Sequence, residues 1–114
     1  SKISSYGGDA AGVGGSGFYT GGSSNTTLRN STWYHVVFVI SGTSITGYIN
    51  GSQDTGLSRT LGANIQYAST SNTFHLGSRS GAFGTYGYFN GKIDQARIFN
   101  KALSASEITT LYNE

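Results

Sequence analysis

The chain has no cysteine, proline or methionine among its 114 residues, and charged side chains make up only 11% of it. Without cysteine there is no disulfide framework, no thiolate nucleophile and no zinc–thiolate centre. Acids are scarcer than bases, five against seven, for a formal net charge of +2. Lys2, Arg29, Arg59, Arg79, Lys92, Arg97 and Lys101 are scattered along the chain. A nucleic-acid surface needs such charges clustered, so no nucleic-acid partner is expected. No apolar run approaches the roughly 20 residues of a membrane helix, so membrane insertion is not expected either.

What the chain does have is glycine, 18 residues of it, with abundant Ser, Thr and Asn. These residues weaken helix interiors and favour short strands joined by tight turns. The length is that of a single domain. Residues 1–32 predict one or two short strands, near 17–20 and 25–29. The strongest strand is 32–40, TWYHVVFVI. Alternation puts Trp33, His35, Val37 and Val39 on one face and Tyr34, Val36, Phe38 and Ile40 on the other. Both faces are apolar, as in a central strand covered on both sides, with Trp33 in the core. Residues 44–49 form the next strand, and Asn50-Gly51 predicts a type I′ hairpin turn. Polar turn and short strand follow over 51–60, with strand candidates at 64–67 and 73–76. The loop 78–90 is aromatic and glycine-rich.

Near the C-terminus, the strand-like run 93–99 leads through Asn100-Lys101-Ala102-Leu103 into a short helix. Ser104 and Glu107 have capping-box spacing, and Leu103 and Ile108 that of a hydrophobic staple. Ala96 and Ile98 are expected to point inward and Arg97 outward.

Two blocks resemble LamG-like, pentraxin-like modules of the concanavalin A-like lectin/glucanase superfamily. One is W-Y-H-V-V through Y-I-N-G, residues 33–51. The other follows roughly G-x-I-D-x-V-R-I-Y-N-x-A-L-S-x-x-E-I. It matches at Gly91, Ile93, Asp94, Arg97, Ile98, Asn100, Ala102, Leu103, Ser104, Glu107 and Ile108, with Ala96 for Val and Phe99 for Tyr. The resemblance implies an all-β, antiparallel two-sheet jelly-roll sandwich with a short C-terminal helix, as one domain over residues 1–114. Ser1-Lys2 is similar to a step the family takes after its opening strands. The chain then reads as the C-terminal two-thirds of a longer domain, the opening strands coming by strand complementation from another polypeptide or from a segment outside these 114 residues.

The same superfamily contains glucanases, whose chemistry needs two carboxylates about 5 Å apart. Glu107 belongs to the cap, Glu114 is terminal, and Asp9, Asp54 and Asp94 lie on separate segments. No enzyme is expected. Gly12-Val-Gly14-Gly-Ser-Gly17 has the letters of a dinucleotide loop, but lacks the flanking strand and helix that aim N–H groups at phosphate. His35 reads as a framework residue and His75 as solvent-facing.

Many LamG-like modules hold calcium, which takes six to eight oxygens. The candidate metal ligands here are Asp9 and Asp54, supplemented by loop carbonyls. Asp94 is expected to accept ordinary hydrogen bonds. Sugars stack on aromatic rings and bond to neutral amides and hydroxyls. Phe83, Tyr86 and Tyr88 are therefore the candidate ligand-binding residues. Expected partners are glycans or neighbouring protein subunits. The expected setting is extracellular, on a cell surface or on a virion. The expected role is a non-catalytic lectin-like or adhesion module, the alternative being a structural module of a large surface assembly.

Overall fold

The computed structural model describes residues 2–8, 19–61, 76–77 and 88–114, with backbone alone for 4–8 and 19–21. The chain divides into two compact units, Ser1–Gln66 with Asn100–Glu114, and Tyr67–Phe99. In the first unit the elements are β1 (Ser4–Gly8), β2 (Tyr19–Ser23), β3 (Val36–Ser41), β4 (Ser44–Ile49), β5 (Ser52–Thr60) and α1 (Ala105–Tyr112). The described chain is thus mostly β, with antiparallel sheets and one short C-terminal helix.

β1 and β2 form a two-stranded sheet running from Ser4↔Ser23 to Gly8↔Tyr19. β3, β4 and β5 form a three-stranded meander in that order. The turn from β4 to β5 is the expected one. Asn50 and Gly51 both have positive φ, 52° and 77°, the signature of a type I′ turn. It is clamped from the side, since His35 N–H donates to Asn50 Oδ1 at 3.0 Å and Asn50 N–H donates to His35 O at 2.8 Å.

Alternation along β4 decides which face is apolar. Ile45, Gly47 and Ile49 are buried, while Ser44, Thr46 and Tyr48 on the opposite face are half-buried. With Leu57, Leu61, Leu103 and Ile108 these isoleucines make the core, and Leu57 and Ile108 have no exposed surface at all. On this apolar face β2 approaches β5 so closely that a Cβ on Gly56 would strike the backbone at Ser23 O and lie 2.7 Å from Asn25 N. Only glycine permits that approach.

The helix start follows the sequence pattern. Ser104 Oγ accepts from Glu107 N–H at 3.3 Å, and Ser104 N–H donates to Glu107 Oε2 at 2.8 Å. Such a cap is worth about 1 kcal/mol. Lys101 Nζ also pairs with Glu107. The Lys101 ammonium, then the Ser104 N–H and hydroxyl, hold the Glu107 carboxyl down to about 2. Leu103 and Ile108 are both buried, as the staple requires, and Leu111 is half-buried.

Other expectations are corrected. The strong strand begins at Val36, and it lies at the margin of its sheet among the described residues, paired to β4 alone. Trp33 falls in the unpaired approach to β3 and is 64% exposed, so it is not a core residue there. Strand pairing near the N-terminus is by β1 and β2, and residues 25–29 form none. Residues 93–99 are assigned no strand, because Gln95 has a φ of 50°, which interrupts an extended run. Within that segment Ile98 is 78% exposed, against its expected inward position. The candidates at 64–67 and 73–75 lie outside the described residues, as does His75.

Candidate functional site

The most heavily bonded polar group of the described chain is on β5. Asp54 is 5% exposed, and both carboxylate oxygens are filled. Oδ1 accepts from Asn25 N–H at 2.8 Å and from Gly56 N–H at 2.9 Å. Oδ2 accepts from Thr26 N–H at 2.9 Å and from the Thr26 hydroxyl at 2.8 Å. Ser24 completes this junction from the other side, its hydroxyl accepting from Ile3 N–H and donating to Thr26 O. Burial is the largest single influence on Asp54 and pushes its carboxyl up. The donors from Asn25, Thr26 and Gly56 together outweigh it and hold the pKa down to about 2. A cation at Asp54 would have to displace donors that already occupy all of its lone pairs.

The same carboxylate shapes β5. Between the pairs Ile45↔Arg59 and Gly47↔Asp54 the ladder is irregular, with residues 55–58 bulging opposite Thr46. Ser58 repairs the gap, since its hydroxyl donates to Asp54 O at 3.1 Å and accepts from Gly47 N–H at 3.4 Å. The bulge leaves an open depression of 260 Å³ lined by Ser44, Thr46, Gln53, Ser58, Arg59 and Thr60 with Ile45. Its hydroxyls and the Gln53 amide are neutral donors and acceptors, the complement of a polyhydroxylated ligand. Arg59 Nη1 donates to Ser58 O at 2.6 Å, and its guanidinium lies where a Cβ on Gly22 would have to sit. Thr46, Ser44 and Tyr48 share this face of β4 by alternation.

His35 is half-buried, its ring 5.9 Å from that of Tyr112, and its Nδ1 is buried without a hydrogen-bond partner. Among the described residues no group of three His, Cys, Asp or Glu side chains could hold a metal ion. Of the ring candidates, Tyr88 is 77% exposed in the unit Tyr67–Phe99. Phe83, Tyr86 and the metal candidate Asp9 lie outside the described residues. Asp94 is exposed and accepts from Gln95 N–H at 2.7 Å. Among the described residues no helix is long and apolar enough to cross a membrane. Reading the sequence missed the β5 depression altogether, because a bulge depends on how strands align. Its one local signal is Asp54-Thr55-Gly56, an Asx-turn spacing that the structure realises through Gly56 N–H.

The described chain is antiparallel β sheet closed by a capped helix, with a polar depression on one sheet face. The profile of the Laminin_G_3 family, in the concanavalin A-like lectin/glucanases superfamily, matches residues 5–109, and the chain belongs to that family. No curated protein sequence matches significantly. The chain is also similar to a crystal structure of an S-layer domain-containing protein (residues 221–444) from Clostridium thermocellum. That similarity has a TM-score of 0.62 at 30% identity and covers 82% of this chain. It spans 45% of the other chain, less than half its length.

Proposed function

We propose that this chain is a non-catalytic, glycan-binding module of an extracellular or cell-surface protein, with a jelly-roll architecture. The observation that carries the reading is the depression on β4 and β5, lined by hydroxyls and one amide, with Arg59 and Ile45 beside them. Family membership and the S-layer neighbour support a surface setting. In the other unit, Tyr67–Phe99, Tyr88, Phe83 and Tyr86 remain a separate set of candidate stacking rings. Asp9 is the remaining candidate carboxylate for a calcium ion.

The test is a glycan-array screen of the purified chain in millimolar calcium and again in chelator. A Thr46→Ala/Gln53→Ala double variant should bind at least about tenfold more weakly, with its thermal midpoint unchanged, since each lost polar contact is worth about 1 kcal/mol. Binding that ignores both substitutions would remove the depression from the reading. Loss in chelator would assign a calcium ion to the site.

A second reading is favoured by a different observation. Phe38 and Ile40 on β3 are 42% and 51% exposed. Apolar side chains on a sheet face suit a structural module that acts through protein–protein contacts. A blank array from folded protein would favour it.

A further inference from the structure

A sugar site needs a ring beside its polar groups, and the strand register places one next to the β4–β5 depression. Alternation along β4 puts Tyr48 on the same face as Ser44 and Thr46, and it is half-buried there. Tyr48 stands directly opposite Gln53 of β5, and Gln53 lines the depression. Opposed residues in an antiparallel ladder have Cβ atoms about 5 Å apart, so the ring borders the depression. Three rows therefore follow one another along this face: Ser44 with Thr60, Thr46 with the bulge that carries Ser58, and Tyr48 with Gln53. From Ser44 to Tyr48 is four steps of extended strand, about 13 Å, the length of about two to three pyranose rings laid end to end.

The same register settles the charge of the face. Arg59 is the one charged residue among the described lining, and no carboxylate joins it. It pairs in register with buried Ile45, so its side chain leaves toward the opposite face. There its guanidinium meets β2, where a Cβ on Gly22 would have to sit. Ser58 is taken up as well, since it donates to Asp54 O and accepts from Gly47 N–H and from Gln53 Nε2, the last at 3.5 Å. Its role is to orient the Gln53 amide, whose Oε1 is left to accept. We propose that this face binds an uncharged, linear oligosaccharide laid along β4, with Tyr48 as the ring on which one pyranose stacks. The C–H face of that unit lies on the Tyr48 ring, Gln53 and Thr46 bond the hydroxyls of the next, and Ser44 with Thr60 meets the far end. The proposal rests on the glycan reading above and adds to it the ligand class and the stacking residue.

The experiment pairs an array with NMR on the unmodified chain. The array carries neutral hexose and N-acetylhexosamine oligomers from monomer to hexamer, and uronic acid oligomers of the same lengths. The expected result is binding to neutral oligomers alone, rising from monomer to trimer and level beyond it. When the best-bound oligomer is titrated, its C–H protons should shift upfield under the ring current of Tyr48. The Tyr48 ring signals should move over the same concentrations. Tyr48→Ala should weaken binding about tenfold, and Tyr48→Phe, which keeps the ring, should restore most of it. Binding that survives Tyr48→Ala or leaves the Tyr48 signals unmoved, yet is lost in Thr46→Ala/Gln53→Ala, overturns the proposal and leaves the glycan reading standing. A preference for uronic acid oligomers, or equal affinity for monomer and trimer, also overturns it. A blank array from folded protein removes the proposal together with the reading beneath it. Because the ring signals are read on the unmodified chain, a folding defect in a variant cannot mask the outcome.

Discussion

Replacing Asp54 with alanine is expected to destabilise the chain by about 3 kcal/mol or more, read as a lower denaturant midpoint with an unchanged slope. The side chain itself contributes little apolar area. The cost arises because the N–H groups of Asn25, Thr26 and Gly56 lose their acceptor at a buried junction, and each unsatisfied buried group costs on the order of 1–3 kcal/mol. Asparagine rescues this only in part, because its amide nitrogen would meet a donor. The pH dependence has a fixed sign. The folded pKa is depressed to about 2 from the ordinary 3.8, so the unfolded chain takes up the proton first. Stability from Asp54 is complete above 3.8 and is lost as pH falls from there toward 2. An Asp54→Asn chain should show a shallower acid limb over that window. Among the described residues Glu107 also contributes over that window, its carboxyl being held down to about 2 chiefly by the Lys101 ammonium. An acid limb as steep as that of the unmodified chain would show that the junction does not depend on the carboxylate.

Leu57→Ala is expected to cost about 3 kcal/mol, in the middle of the range for deleting a buried leucine. Leu57 is 0% exposed, and its Cβ stands where a Cβ on Gly47 would otherwise project. Deleting its side chain leaves a cavity lined on one side by backbone, which cannot collapse to fill it. Thermal unfolding followed by circular dichroism measures the effect. A loss below about 1 kcal/mol would mean the bulge repacks freely, and that the β5 depression is less firmly shaped than its hydrogen bonds imply.

The features legible in the sequence are the ones whose chemistry is local. The Ser104–Glu107 cap, the Leu103/Ile108 staple and the Asn50-Gly51 turn each act within a few residues, and each stands as read. The β4 strand was legible because its alternation is clean over Ser44–Ile49. Features that depend on distant partners were not. Nothing in TWYHVVFVI says that pairing begins at Val36 and leaves Trp33 exposed. Residues 93–99 have strand-like composition, yet a single positive φ at Gln95 breaks the run. Asp54 looked like a metal candidate because an acid in a polar stretch carries no mark of what will donate to it. Its donors at Asn25 and Thr26 lie 29 and 28 residues away. The candidate site was invisible for the same reason, since a bulge is a relation between strands rather than a property of one.

That separation also bears on the order in which the chain assembles. The β4–β5 hairpin closes through a two-residue turn, and closing a short loop costs little entropy. The Asp54 junction cannot form until a segment almost thirty residues away is brought back to it. The hairpin is therefore expected to form early and the junction late. Asp54→Asn should then accelerate unfolding while leaving the refolding rate nearly unchanged in stopped-flow kinetics. If refolding slows in proportion to the lost stability, the carboxylate belongs to the nucleus. The residue that fastens the fold would then also be one that starts it.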